Sequence, residues 1–140
     1  MHLKDFELAF EKRAASSGLE YRIRPPTQEA AIDAAEGFLR VEFPQQLRDF
    51  YSVCNGFLVP SPHIEILRIE ALNFIRQDLL HFCTIEQCHS LCFDTSHLNE
   101  ARQWCILDAE TNFRVTYTMA SFWSNKVWTW VDKKLPIWKA

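Results

Sequence analysis

The chain has 140 residues, 48% hydrophobic, 14% aromatic and 24% charged, with a net charge of -3. That length and composition predict one globular domain with a full core and exclude intrinsic disorder. The acidic balance argues against a nucleic-acid surface, which needs a basic excess, and no apolar run is long enough to span a bilayer.

The first predicted element is a helix. Leu3, Phe6 and Phe10 form its apolar stripe and Ser17-Gly18 ends it. Residues 19–24 are a connector. Pro25-Pro26 breaks the chain, and Thr27 is a good N-cap for a second helix whose buried face is Ile32, Ala35 and Leu39. Phe43-Pro44 opens a third helix, with Pro44 at the first helical position, where a missing N–H costs nothing. Leu47, Phe50, Tyr51 and Cys54 follow the i, i+3, i+4, i+7 spacing of one buried face. Asn55-Gly56 supplies residues that accept the left-handed conformation and close that helix.

After Gly56 the period changes. Pro60 and Pro62 bracket a loop, and Ile64-Glu65-Ile66 alternates as a half-buried strand does. Residues 70–79 are predicted as a short helix through Leu72, Ile75 and Leu79. Strands follow at Leu80-His81-Phe82, Leu91-Cys92-Phe93, Trp104-Cys105-Ile106 and residues 113–117, with turn chemistry between the last two. Residues 120–131 return to helical spacing, with Trp123, Val127, Trp130 and Val131 on one side. Helices, then strands, then a helix is an α+β pattern: a single domain with N-terminal helices on a mostly antiparallel sheet and a C-terminal helix.

The charge is uneven. Residues 65–110 hold eight acids against three bases, and residues 111–140 one acid against five bases. Such blocks are ordinarily solvated surface, but an acidic middle also suits a charged partner. The five cysteines are odd in number and sit mostly at apolar positions, so they predict free thiols in a reducing, cytoplasmic setting rather than a disulfide framework. Met1 to Glu7 contains no apolar h-region of a secretory signal.

His81, Cys83, Cys88, His89 and Cys92 crowd into twelve residues and suggest zinc by type, but they lack a CxxC knuckle and a paired second half. His81 and Cys83 are expected to share a strand face, with Cys92 on another strand. A Cys–His nucleophile fails for a related reason: sequence neighbours in strands point to opposite faces. Phe93-Asp94-Thr95-Ser96 reads as a turn leaving the sheet. No phosphate loop is visible, so no metal, cofactor or catalytic residue is expected. Trp128 falls off the main stripe of the last helix, and Trp138 follows Pro136. Burial by a folded-back tail is the favoured reading for both, and an exposed anchor the alternative.

The run Ala31-Ile32-Asp33-Ala34-Ala35-Glu36-Gly37-Phe38-Leu39, then Phe43-Pro44-Gln45-Gln46-Leu47-Arg48-Asp49-Phe50-Tyr51, then Asn55-Gly56, resembles the SUKH superfamily. Ile66-Leu67-Arg68-Ile69, Leu91-Cys92-Phe93-Asp94-Thr95 and Ala120-Ser121-Phe122-Trp123 resemble its later elements, so the likeness covers about residues 27–131. Phe43 departs from the usual Leu, and the tryptophans after Phe122 are less typical. The resemblance implies an α+β domain without enzymatic activity. Its bacterial members include immunity proteins that neutralise toxins, often nucleases, of polymorphic toxin systems. Its fungal relatives include a regulator of cell-wall glucan synthesis, which leaves a regulatory or scaffold role as the alternative. On the immunity reading the partner is a toxin domain encoded nearby, with no nucleic acid or membrane partner. Glu65, Glu70, Asp78, Glu86, Glu100, Asp108 and Glu110 are the candidate contacts and Trp128 the candidate anchor.

Overall fold

The computed structural model describes residues 2–140. Helix α1 (Lys4–Ser17) leads to a short strand β1 (Arg22–Ile23), then helices α2 (Glu29–Leu39) and α3 (Gln45–Val53). Strands β2 (Phe57–Pro60) and β3 (His63–Ile66) follow, then a 3₁₀ turn (Ile69–Ala71), β4 (Asn73–Arg76), β5 (Leu79–Ile85), β6 (His89–Asp94), β7 (Ile106–Asp108) and β8 (Arg114–Thr116). The chain ends in α4 (Met119–Ser121), a π-helical turn (Phe122–Lys126) and α5 (Val127–Lys133), which run on as one helix. The sheet runs in the order β1-β2-β3-β5-β6-β7-β8, with β4 paired to β5 off that path, and every pairing is antiparallel. The fold is α+β, as the order of periodicities predicts.

The helices bury one face of the sheet. Phe6 of α1 sits among rings from four elements: Phe50 at 6.2 Å, Phe57 at 5.4 Å, Trp123 at 5.6 Å and Trp128 at 5.8 Å between centroids. Edge-to-face packing of this kind adds to the burial of each ring. A smaller cluster of Leu79, Cys92 and Ala109 lies apart from the main core, under Leu107. Arg13 clamps the chain's two ends together. It makes a bidentate pair with Asp132, 2.7 Å in both arms, and its guanidinium lies 3.8 Å over the Trp128 ring.

Several local readings shift. Thr27 does not cap α2: Gln28 occupies that position, the Thr27 hydroxyl is buried without a partner, and its N–H donates instead to the Tyr51 carbonyl at 2.9 Å. Pro44 stands just before α3 rather than in it, and its carbonyl accepts the first amides of the helix. Residues 70–79 are not a helix. After the 3₁₀ turn the chain becomes β4, whose four residues are exposed, because pairing with β5 outweighs a helical spacing of three apolar residues. Strand β7 begins only at Ile106, two residues later than the apolar run.

The end of α3 sets the corner on which helices and sheet meet. The helix stops at Val53, Cys54 is extended, and Gly56 alone takes the left-handed conformation, with φ +79°. Asn55 works through its side chain: its Oδ1 accepts the Ile69 amide at 2.7 Å and its Nδ2 donates to Glu70 at 3.0 Å. A Cβ on Gly56 would stand 2.2 Å from the Ile66 carbonyl oxygen. Two causes therefore demand glycine here, the backbone conformation and the approach of β3.

Gly56→Ala is expected to cost more than about 2 kcal/mol, because it adds a backbone clash to positive-φ strain. Gly18→Ala, also at positive φ but facing open space, isolates the strain alone and is expected to cost about 1 kcal/mol. Equal losses in urea unfolding would show that the clash relaxes freely. Phe50, fully buried between Phe6 and Tyr51, is expected to cost about 3–5 kcal/mol on truncation to Ala in the same assay.

Candidate protein-binding surface

The acids of the middle segment occupy separate places. Glu65, on β3, is half-buried and ion-paired with Arg24, whose other arm donates to the Ile66 carbonyl at 3.0 Å. Glu70 projects from the 3₁₀ turn, Asp78 from the β4–β5 turn, Glu86 from the β5–β6 turn, Glu100 from the loop before β7 and Glu110 from the β7–β8 turn, all exposed. Asp78 and Glu86 flank the two ends of β5, so they stand roughly 26 Å apart at about 3.3 Å per residue. The structure therefore spreads the acids over several turns rather than gathering them into one patch.

Two of the candidate residues lie inside. Asp108 is 2% exposed and accepts the Thr111 amide at 2.9 Å and hydroxyl at 2.8 Å, so its carboxylate shapes the β7–β8 turn. Trp128 is 7% exposed and packs on Phe6 and Phe10 beneath Arg13. The reason is the π-helical turn. The Val127 amide bonds back to Phe122, five residues earlier, so positions five apart align across it. Trp128 thereby joins Trp123 on the buried side, where 100° per residue places it off the stripe. Their burial removes both residues from the surface of the folded chain. Trp138 is half-buried, stacked on His89 at 4.0 Å.

The His–Cys segment is also divided. A bulge between His81 and Cys83 pairs His81 with Cys92 but Cys83 with Leu91, so His81 and Cys83 do not share a face. His81 Nε2 lies 3.1 Å from both the Cys83 carbonyl and the Thr84 hydroxyl. Cys83 is fully buried, and burial pushes its thiol well up. Burial likewise lifts Cys92 to about 12 and Cys54 to about 11, so these thiols stay protonated and unreactive at neutral pH. Cys88 is exposed, and all five cysteines are free. Among the described residues no three His, Cys, Asp or Glu side chains are placed to hold a metal. At Asp94 the turn reading agrees with the geometry, since its carboxylate accepts the Ser96 amide at 3.0 Å and hydroxyl at 2.6 Å.

The clearest surface for a partner lies on α2. Its Ala31, Ala34, Ala35, Phe38 and Leu39 face Ile69, Glu70 and Leu72 across an open groove of about 340 Å³. Phe38 is 85% exposed, the most exposed large hydrophobic side chain among the described residues. Leaving a phenyl ring in water forgoes about 2 kcal/mol of burial. Gly37 precedes it inside the helix, where glycine costs about 1 kcal/mol relative to Ala, and a Cβ there would meet nothing within 4 Å. The free fold thus uses neither residue. The opposite side of α2 is engaged: Arg48 bonds Asp33 at 2.9 Å and Glu36 at 2.5 Å, and the Asp33 bond in particular raises its already high pKa. Sequence reasoning missed the groove because it assigned α2 only its inward stripe. The available signal was Phe38, which lies off the Ile32–Ala35–Leu39 face.

The family model described as SMI1 / KNR4 family (SUKH-1) matches residues 26–125. The chain belongs to that family. No curated protein matches it with significance. The SUKH-1 match runs from the proline break before α2 into the π-helical turn, so it contains α2, the groove, the Asn55-Gly56 corner and every strand from β2 onward. It leaves out α1 and α5, the two elements that Arg13 and Asp132 join. Among the described residues no helix of this SUKH-1 chain is long and apolar enough to cross a membrane.

His81 gives the stability of the fold a pH dependence. Burial holds its pKa below the usual 6.5, partly offset by its bond to the Cys83 carbonyl. The folded chain therefore resists a proton that the unfolded chain accepts, and stability falls as pH drops through about 6.5 until the folded form also protonates. Urea unfolding at pH 7.5 and pH 5.0 is expected to show a larger acid loss in the wild type than in His81→Gln. Parallel losses would mean that His81 is not the group responsible.

Proposed function

We propose that this SUKH-1 domain is a non-enzymatic immunity protein that neutralises a cognate toxin domain, encoded nearby, by binding it. The observation that carries the reading is an exposed Phe38 groove on a chain of this family, with Glu70 at its rim and further surface acids elsewhere that no cation of the fold neutralises. Glu70, Asp78, Glu86, Glu100 and Glu110 make no ion pair among the described residues. Spread over several turns, they act as a long-range field that draws in a basic protein such as a nuclease domain, rather than as one contact patch. Affinity comes from apolar burial, because rim charges set the association rate more than the strength of a complex.

The test is co-expression with the neighbouring toxin domain, followed by pull-down and an assay of toxin activity. A complex and loss of toxicity are expected. Failure of both would defeat the immunity role. The association rate is expected to fall about tenfold between 50 mM and 500 mM salt. A rate indifferent to salt would remove the acids from the mechanism and leave the immunity role standing.

A further inference from the structure

We infer that the groove between α2 and the 3₁₀ turn is the docking site for a partner segment that pairs one large apolar side chain with a neighbouring Lys or Arg. The inference deepens the binding role proposed above and rests on it. Its first support is the shape and chemistry of the lining. Alanines at 31, 34 and 35 form a low floor that lets another backbone come close, and Phe38 stands at its side with its ring in solvent. Such a surface takes an aliphatic or aromatic anchor.

The second support is charge. Glu70 is the one polar residue of the lining, and its carboxylate is oriented by the Asn55 amide at 3.0 and 3.2 Å without being neutralised. An apolar site with one fixed anion at its rim selects an apolar group accompanied by a cation. Asn55 is in turn held by the Ile69 amide at 2.7 Å, so the anion is carried on the same rigid corner that forms the groove's far wall. An acidic segment is disfavoured, because it would place like charges together.

The probe is a library of random dodecapeptides displayed on phage and selected against the full chain. Enriched peptides are expected to carry a large apolar residue with Lys or Arg within about one helical turn. They are expected to bind at least tenfold more weakly to Phe38→Ser and to Ala34→Glu, whose far-UV circular dichroism should match the wild type because both positions are exposed. Selection against Glu70→Lys is expected to shift enrichment from basic to acidic peptides. No enrichment, enrichment without basic residues, or undiminished binding to both variants would each overturn the inference. The same variants in the toxin assay separate it from the broader role. If the wild type and both variants protect equally, the groove is not the site and the immunity role remains. If the wild type gives no protection while the peptides behave as expected, the groove stands and the toxin is not its partner.

Discussion

The close approach of backbone at Gly56 is the constraint on which the architecture turns. A carbonyl of β3 occupies the space a side chain would need, so α3 and the first strands of the sheet are held at one separation. Asn55 beside it reaches forward to Ile69 and Glu70, Arg24 reaches across to the Ile66 carbonyl, and the Asn55 amide donates to the Pro25 carbonyl at 3.0 Å. The corner therefore ties the segment before α2, the end of α3, strand β3 and the 3₁₀ turn into one bonded unit. The Ile66 and Pro25 carbonyls and the Ile69 and Asn55 amides are main-chain groups, so the corner satisfies groups that burial would otherwise orphan.

The aromatic cluster depends on that separation. Phe50 and Tyr51 are neighbours on α3, with rings 5.3 Å apart and nearly perpendicular, and both are fully buried. Tyr51 donates to the Leu67 carbonyl at 2.7 Å, just past β3, and burial drives its phenol well above its ordinary pKa. A helix set farther from the sheet would lose this bond and strand a hydroxyl in the core, a cost comparable to the bond itself. Polar fastening at the rim and ring packing inside thus enforce the same geometry.

The sequence made the helices and most strands legible because each carries its own period over enough residues. Helices α1 and α3 show a clear i, i+3, i+4 stripe and a marked stop, and β5 and β6 are apolar enough to be seen. Strand β4 was not legible, because Leu72, Ile75 and Leu79 mimic a helical face and only pairing with β5 decides between the two. The site was less legible still. Charge counting found the acids, but whether eight carboxylates gather or scatter depends on which turn each occupies. Asp108 is identical in type to its neighbours and differs only in facing inward onto Thr111. The one local sign of Phe38 is its place off the Ile32–Ala35–Leu39 face, which does not say whether another element covers it.

The π-helical turn adds one residue between α4 and α5, and that residue fixes the phase of everything after it. Removing a single position there would restore the ordinary helix and leave Trp123 and Trp128 four apart, still on one face. With the phase unchanged, Trp128 would stay beneath Arg13 and the Trp130 indole would keep the His63 carbonyl it bonds at 3.0 Å. Drawing the same residues into an unbroken α-helix would instead rotate α5 by about 100° and carry Trp128 away from Phe6 and Phe10. The wider turn thus lets the last helix carry one residue of extra length while the core on either side of it stays in place.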